Sequence, residues 1–244
     1  MAGGRLDKCL AEAAGLTRKE AKQAIRAGRV KVDESVWRDP DRKLTGQEML
    51  CLDGKQLTET GLVYLLLHKP AGVVSATEDR ERTVLDVLRE QEEFAELCKK
   101  TELFPVGRLD KDTEGLLLLT NDGLLAHRLL SPKRHVDKEY EAVLDGVVPE
   151  DAPQRFAAGL PVGKEYVARP AKLEVREQND MTARVRITLQ EGKFHQVKRM
   201  CHEIGCEVRY LKRISMGSLT LEETLSAGQA RHLTEDEIRK LKEQ

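Results

Sequence analysis

The densest group of chemically active side chains lies in a polar loop between Gly107 and Gly115. Asp110, Asp112 and Glu114 fall in this loop together with two basic residues. A calcium loop of the EF-hand type is excluded because the remaining ligands and the distal glutamate are absent. A charged surface turn and a pair of catalytic carboxylates of the glycosidase kind both fit the pattern, since the sequence does not fix the distance between two acids.

A second group of reactive side chains lies in a basic stretch, residues 184–213, which has eight lysines and arginines against three acids. Two histidines and two cysteines in this stretch have the donor atoms that zinc prefers, but their order and spacing match no common zinc finger. Two of the four are adjacent and would face different sides of a helix. The pattern therefore favours a basic helix with cysteines in the core. The four residues are His195, Cys201, His202 and Cys206.

The first 31 residues carry a third charged group, with eight basic and three acidic residues and a net charge of +5. The whole chain of 244 residues has 41 basic and 42 acidic side chains and a formal net charge of −1. This balance excludes a histone-like protein and a wholly disordered acidic chain. The local excess is typical either of a solvated helix face or of a surface that binds nucleic-acid phosphates, and composition alone does not separate the two.

The N-terminal segment is predicted to form two short helices and a hairpin. Apolar residues at helical spacing predict a first helix over residues 5–13, which ends at Gly15. Thr17 and Glu20 have the spacing of a capping box, so a second helix begins there and stops at Gly28. Short strands are expected at 30–32 and 49–52, and the polar residues 53–61 are a plausible linker.

In the rest of the chain, strands and helices interleave without the regular alternation of a parallel sheet. We therefore predict an α+β fold, with a small N-terminal α/β domain over residues 1–60 and a larger domain over residues 61–244. The larger domain is expected to have a mainly antiparallel sheet flanked by helices. Strands are predicted at 62–68, 72–75, 115–120, 138–145, 171–176 and 182–190, and helices at 83–91, 123–130, 150–158, 195–204 and 234–242.

The composition is typical of a cytoplasmic protein. The start of the chain lacks the apolar segment of a secretory signal, and the longest apolar run, residues 62–67, is far shorter than the ~18 residues of a membrane span. Five thinly spread cysteines with no C-x-x-C pair argue against a disulfide framework. We expect a cytoplasmic chain with reduced cysteines and no membrane partner.

The loop Gly107-Arg-Leu-Asp-x-Asp-Thr-x-Gly-Leu116, followed by the turn Asn121-Asp-Gly123, resembles the signature of the RsuA-type pseudouridine synthases. The stretches Lys138-Glu-Tyr140 and Glu191-Gly-Lys-Phe-His-Gln-Val-Lys-Arg-Met200 are similar to the family's next two motifs and occur in the same order. Residues 5–32 are similar to the S4 RNA-binding module that such enzymes carry in front. The four elements together cover nearly the whole chain, up to about residue 237.

The resemblance implies an enzyme that isomerises uridine to pseudouridine in RNA without a cofactor or a metal. The aspartate of the family's GRLD loop is the nucleophile or its equivalent, and here it is Asp110. The basic side chain beside it corresponds to Lys198, and the tyrosine that stacks on the base corresponds to Tyr140. Arg108 corresponds to the arginine that fills the space left by the flipped uridine. A cation near a buried carboxylate is physically useful because burial opposes its ionisation.

The resemblance and the charge pattern also give the expected RNA partner. Asp112, Thr113 and His195 resemble the residues of the family's small-subunit branch. This resemblance implies that the partner is 16S rRNA or a small-subunit assembly intermediate. It also implies uridine 516 as the family's target and a monomeric enzyme. The alternatives are a synthase acting on 23S rRNA and a non-catalytic S4-type RNA-binding or ribosome-assembly factor. The residues expected to bind RNA are Arg5, Arg18, Lys19, Lys22, Arg26, Arg29, Arg108, His195 and Arg199.

Overall fold

The N-terminal part of the chain packs two helices against a small sheet, with a core of its own. The second helix starts as predicted, because the Thr17 hydroxyl accepts a hydrogen bond from the Glu20 amide and the Glu20 carboxylate accepts one from the Thr17 amide. The computed structural model describes residues 4–45, 48–57, 62–131 and 134–243. The N-terminal elements are β1 (Gly4–Arg5), α1 (Leu6–Ala14), α2 (Arg18–Arg26), β2 (Val30–Val32), β3 (Ser35–Val36), β4 (Lys43–Leu44), β5 (Leu50–Leu52) and β6 (Lys55–Leu57).

The linker predicted over residues 53–61 is wrong in its first half. Asp53 and Gly54 form a two-residue turn with φ angles of 52° and 79°, and β6 then pairs with β5. Positive φ at both turn residues is the geometry that two-residue hairpins favour. The rest of the predicted linker, residues 58–61, and the domain boundary expected between residues 60 and 61 lie outside the described residues.

The rest of the chain forms a nine-stranded sheet with helices on both sides and a separate two-stranded hairpin. The remaining strands are β7 (Tyr64–Lys69), β8 (Phe104–Pro105), β9 (Glu114–Thr120), β10 (Lys138–Asp145), β11 (Pro161–Val162), β12 (Tyr166–Val167), β13 (Lys172–Gln178), β14 (Thr182–Leu189), β15 (Glu207–Met216), β16 (Leu219–Thr220) and β17 (Ala230–His232). The helices are α3 (Val84–Arg89), α4 (Glu92–Lys100), α5 (Gly123–Leu130), α6 (Ala152–Ala158), α7 (Gln196–His202) and α8 (Glu235–Glu243).

The order of the large sheet is β13-β14-β10-β15-β9-β7-β17, with β8 paired to β9 and β16 paired to β15. Among the described residues its neighbouring strands are antiparallel, except that β9 and β15 run parallel. The predicted α+β class with a mainly antiparallel sheet is therefore confirmed. None of the described helices is long and apolar enough to span a membrane.

Both faces of the sheet are buried at its centre. Leu65 and Leu67 of β7 belong to the core that includes residues of α3, α4, α6 and α7. Leu66, between them, belongs to the core on the other face, with α5 and α8. Because successive side chains of a strand point to opposite faces, a strand covered on both sides has a continuous apolar sequence.

The parallel pair of β9 and β15 depends on a glycine. Gly115 lies opposite Arg213 and has a φ of 110°. A Cβ at this position would lie 2.2 Å from the carbonyl oxygen of Arg213 and 2.6 Å from its amide nitrogen. Only glycine permits this approach of the two backbones, and the same glycine ends the polar loop identified in the sequence.

This part of the chain differs from the sequence prediction at residues 72–75, in α4 and β15, and in five unpredicted short strands, which are β8, β11, β12, β16 and β17. Residues 72–75 do not form a strand of the sheet, because Gly72 has a φ of 82° and its amide donates to the carbonyl of Lys111, and Val74 makes only an isolated bridge to Thr83. Neither α4 nor the ten-residue β15 is predicted, and β15 carries several charged residues and no regular apolar alternation. The other predicted strands and helices of this part of the chain are found within two residues at either end.

We expect Gly115→Ala to lower the free energy of unfolding by at least about 2 kcal/mol, because the added methyl group must push β9 and β15 apart. Gly192→Ala is the matched control, since a Cβ there meets no atom within 4 Å. Urea titration followed by far-ultraviolet circular dichroism measures both. Tryptophan fluorescence does not serve here, because the single tryptophan, Trp37, lies in the N-terminal part. An equal loss in the two variants would contradict the close approach.

Candidate active site

The polar loop, residues 107–113, is fixed at its end by a buried lysine. The Lys69 side chain at the end of β7 is fully buried. Its ammonium group donates hydrogen bonds to the carbonyls of Pro70 (3.0 Å), Lys111 (3.2 Å) and Thr113 (2.8 Å). These bonds hold the loop backbone on both sides of Asp112.

Burial lowers the pKa of Lys69 to about 8, although the carboxylates of Asp112, Asp110 and Glu114 act in the opposite direction. A buried ammonium group is tolerated only where its donors are satisfied. Lys69 is absent from the sequence-based set of site residues. A lysine at the end of a strand ordinarily points to solvent, which is why Lys69 was overlooked. The one local signal for it is the sequence Lys69-Pro-Ala-Gly72, which indicates a turn directly after an apolar strand.

Ser75 fixes the same loop at a second point. Its hydroxyl donates to the carbonyl of Leu109 (2.9 Å) and accepts from the amide of the same residue (3.1 Å). Leu109 itself is packed in the core. Asp110 therefore lies between two residues, Leu109 and Lys111, whose backbones are anchored to the segment that follows β7. Sequence reasoning did not include Ser75, whose role depends on a contact with a residue 34 positions away.

Two side chains at the start of α7 face Asp110. The Nζ atom of Lys198 lies 3.4 Å from Oδ2 of Asp110 and 2.6 Å from Oδ1 of Asp112. The Nε2 atom of His195 lies 3.7 Å from Oδ1 of Asp110. The hydrogen bond from Lys198 lowers the pKa of Asp112. The structure thus brings Lys198 within ion-pair distance of Asp110, but its shortest contact is with the more exposed Asp112.

The turn before α7 is organised by a glutamine. Buried Gln196 accepts a hydrogen bond from the Lys193 amide (3.0 Å) and donates one to the Glu191 carboxylate (2.9 Å). His195 has a left-handed backbone with a φ of 51°, a conformation uncommon outside glycine that is often found at functional sites. This turn directs the His195 ring towards Asp110.

Tyr140 is 7 % exposed and lies on β10 among core residues. With Leu189 and Leu211 it lines a cleft whose polar residues are those of the loop and of α7. An apolar wall with an aromatic ring opposite a carboxylate and two basic groups suits a flat, polar heterocycle. The cleft is lined by Arg108, Asp110, Thr113, Tyr140, Gly192, Lys193, His195, Gln196 and Lys198, and by Leu109, Leu189, Val197 and Leu211.

Of the six predicted site residues outside the N-terminal part of the chain, five therefore meet in one cleft and one does not. Arg199 is turned towards the β11–β12 hairpin, where it lies 2.9 Å from the Glu165 carboxylate and 5.4 Å from the centre of the Tyr166 ring. The five residues that do line the cleft are Arg108, Asp110, Tyr140, His195 and Lys198.

The zinc alternative has no support in the geometry. His202 is exposed and faces Glu207, whereas Cys201 and Cys206 are buried. Burial raises the pKa of both thiols. Within the described part of the chain, no group of three or more histidine, cysteine or acidic residues is placed to hold a metal ion.

Three of the N-terminal cations form ion pairs with one acidic residue, Asp7. Asp7 is fully buried, and the hydrogen bonds from Arg5 and Arg18 hold the pKa of its carboxyl well below the usual range. Its Oδ2 atom lies 3.0 Å from Arg5, 2.8 Å from Arg18 and 3.7 Å from Nζ of Lys22. These three cations are partly exposed and are held on one face by the buried carboxylate.

The other three N-terminal residues of the predicted RNA-binding set differ in their contacts. Arg29 donates to the Asp53 carboxylate (2.7 Å). Lys19 and Arg26 are exposed, and neither forms an ion pair with another residue that the structure describes. Lys19 and Arg26 are thus the cations of α2 most available to an external phosphate.

Comparison with known proteins decides the family. Residues 63–203 match the family described as RNA pseudouridylate synthase, and residues 4–50 match the S4 domain. The chain belongs to the RNA pseudouridylate synthase family. It is a pseudouridine synthase with an N-terminal S4 domain, which confirms the resemblance to the RsuA type found in the sequence.

The relatives of this synthase match it over nearly its full length. It is 42% identical over 241 residues to an uncharacterized RNA pseudouridine synthase of Bacillus subtilis, with 98% of both chains covered. It is 40% identical over 236 residues to the ribosomal small subunit pseudouridine synthase A of Vibrio cholerae, which covers 96% of this chain and 97% of that one. A crystal structure of a pseudouridylate synthase matches with a TM-score of 0.68 and 36% identity over 98% of this chain and 99% of that one.

The titration of Lys69 gives a prediction for the synthase. Its pKa of about 8 in the folded state is below its ordinary value, so between pH 8 and 10.5 the unfolded state binds more protons. Stability due to this group therefore rises with pH across that window, by up to about 3 kcal/mol. The unfolding free energy of wild type minus that of Lys69→Met should therefore increase from pH 8 to pH 10.

Lys111→Met is the matched control, because it removes an exposed lysine of the same loop. It measures the effect of a lysine-to-methionine change at the surface of the loop, with which the result for Lys69→Met is compared at each pH. Lys138, whose pKa burial also lowers to about 8, is present in all three proteins and cancels. A difference for Lys69→Met that is constant with pH would contradict the burial of its ammonium group.

Proposed function

We propose that the synthase converts one uridine of 16S rRNA to pseudouridine, with Asp110 as the nucleophile or its equivalent. The observation that supports this best is the meeting of Asp110, Tyr140 and Lys198 in one cleft, although they come from three distant parts of the sequence. The named relative from Vibrio cholerae acts on the small ribosomal subunit, as its name states. The family expectation for the position is uridine 516.

The reaction is an isomerisation and needs no co-reactant. The N-glycosidic bond of the uridine breaks, the uracil turns within the cleft, and a bond forms between the ribose and a carbon of the base. A proton leaves that carbon, and the released nitrogen gains one. Lys198 gives the carboxylate of Asp110 a cation at 3.4 Å from Oδ2, and the His195 ring lies 3.7 Å from Oδ1.

Tyr140 and Arg108 are assigned to the handling of the base. The ring of Tyr140 offers an aromatic surface to the uracil, and its hydroxyl is suited to proton transfer. Arg108 is exposed at the cleft and occupies the space that the uridine leaves in the RNA. Extrusion of a base costs a few kcal/mol, which contacts with the RNA must offset.

The S4 domain is proposed to supply much of that RNA affinity through its cations. The partner is 16S rRNA or a small-subunit assembly intermediate, and the enzyme acts as a monomer in the cytoplasm. A non-catalytic assembly factor would not require an acid, a tyrosine and a lysine in one cleft. A synthase for 23S rRNA would share the cleft, and product mapping separates it from the proposed enzyme.

Asp110→Asn should abolish pseudouridine formation in transcribed 16S rRNA while leaving RNA affinity within about twofold, because the amide is isosteric but cannot act as the nucleophile. Asp112→Asn is the matched control. It makes the same change two residues away, in a second carboxylate that contacts Lys198, and should keep turnover within about tenfold of wild type. The measurement is pseudouridine content of the RNA against time. Turnover by Asp110→Asn near the wild-type rate would refute the assignment.

The N-terminal surface is tested by reversing the two exposed charges of α2. Lys19→Glu with Arg26→Glu should weaken RNA binding and flatten its dependence on salt, by about 0.7 to 0.9 in the log–log slope for every phosphate that the variant no longer neutralises. Lys99→Glu with Lys100→Glu makes the same charge change in α4, outside the cleft, and is the control. RNA affinity is measured across a salt series. If both double variants have the wild-type slope, the positive charge on α2 is only a solvated helix face.

A further inference from the structure

Phe194 is an exposed aromatic residue at the edge of the cleft. Its exposed fraction is 69 %, whereas Phe94 and Phe156 are buried and Phe104 is half-buried. One exposed apolar side chain is ordinary on a protein surface, so what distinguishes Phe194 is its place beside the cleft and the groups around it. The mechanism described above does not use this side chain.

The Phe194 ring is stacked on His195. Their centroids are 3.8 Å apart and the planes differ by 17°. His195 lies within 3.7 Å of Asp110 and is held in its left-handed conformation at the start of α7. The two rings therefore form a short stack that begins at the proposed nucleophile and ends at solvent. Its outer surface is an aromatic face that is already oriented for a further flat group.

The surroundings of this face are basic. Lys193 precedes the two rings in the sequence and Lys198 follows them, and both lysines line the cleft. The stretch 184–213 has eight basic and three acidic residues. The Lys193 ammonium group lies 3.6 Å from the centre of the Tyr166 ring and 3.8 Å from the Glu191 carboxylate, which keeps it near the turn. A flat apolar face among cations matches the chemistry of a nucleobase attached to phosphates.

We infer that the exposed face of Phe194 stacks on a nucleobase of the RNA that neighbours the uridine bound in the cleft. The inference rests on the proposed function, because it needs an RNA strand at Asp110. Tyr140 and Phe194 then hold two adjacent nucleotides apart, one base in the cleft and the next on the stack. Because every base has an aromatic face, such a contact supplies affinity with little sequence preference and offsets the cost of extruding the uridine.

The test uses two 11-nucleotide single-stranded RNAs with one central uridine. The nucleotides on both sides of this uridine are adenosines in the first RNA and abasic riboses in the second. Phe194→Leu removes the aromatic face at similar volume, and Phe194→Trp keeps it. Met181→Leu, a change at another exposed apolar residue, outside the cleft lining, is the control. Affinities are measured by fluorescence anisotropy of labelled RNA.

Wild type, Phe194→Trp and Met181→Leu should bind the adenosine RNA about tenfold more tightly than the abasic RNA. Phe194→Leu should lose that preference and bind the abasic RNA like wild type. The first RNA, and not the second, should also quench the fluorescence of the tryptophan introduced by Phe194→Trp, with wild type giving the constant contribution of Trp37. Equal loss on both RNAs in Phe194→Leu, or no preference in wild type, would overturn the inference.

The two proposals fail in different ways. If wild type forms pseudouridine in 16S rRNA but shows no preference for the adenosine RNA, the stacking contact is refuted and the proposed function stands. If the preference depends on Phe194 but no pseudouridine is formed, the cleft binds an RNA strand and the proposed reaction is refuted.

Discussion

The position of Asp110 depends on a buried ammonium group. Lys69 lies at the end of a strand that is covered on both faces, and its three hydrogen bonds go to backbone carbonyls, two of them in the polar loop. An ammonium group removed from water is costly unless these donors are satisfied. The folded state therefore requires the carbonyls of Lys111 and Thr113 to stay in place, and with Ser75 this fixes the backbone around the carboxylate that the proposed reaction uses.

Strand pairing in the sheet fixes the position of Tyr140 relative to the polar loop. Gly115 follows the loop and lets β9 approach β15 as a parallel neighbour. Arg213 of β15 is almost fully buried and donates to the carbonyl of Leu116 (2.8 Å), so the two strands are joined by a side chain as well as by their backbones. β15 also pairs with β10, which carries Tyr140 opposite Arg213. The loop and the tyrosine are thus held on strands that share one neighbour.

Local signals predicted the elements whose structure is decided locally. The capping box of Thr17 and Glu20 and the continuous apolar strand β7 depend on residues close in sequence, so both were within reach of the sequence. β15 was not, because its charged residues are accommodated by contacts with β9 and β10 and not by an apolar alternation. Residues 72–75 have a strand-like composition, but the Gly72 amide donates a hydrogen bond to the carbonyl of Lys111, far along the chain, and these residues do not join the sheet.

The same distinction applies to the site. Asp110, Tyr140 and Lys198 were named through the family resemblance, and the structure places them in one cleft. Lys69 and Ser75 were missed, because their importance comes from bonds to backbone atoms more than 30 residues away. Arg199 is predicted to bind RNA, and the structure places it outside the cleft, beside Glu165 and Tyr166 at the β11–β12 hairpin. The type and order of residues can therefore indicate the catalytic side chains. The residues that hold those side chains in place become visible only in the three-dimensional structure.

The most direct measurement is a map of the pseudouridines in 16S rRNA from cells with and without the gene for this synthase. We expect one pseudouridine to disappear when the gene is deleted. It should return when the wild-type chain or Asp112→Asn is supplied, and stay absent with Asp110→Asn. An unchanged pseudouridine map of 16S rRNA in the deleted strain, or restoration of the lost site by Asp110→Asn, would contradict the proposed function.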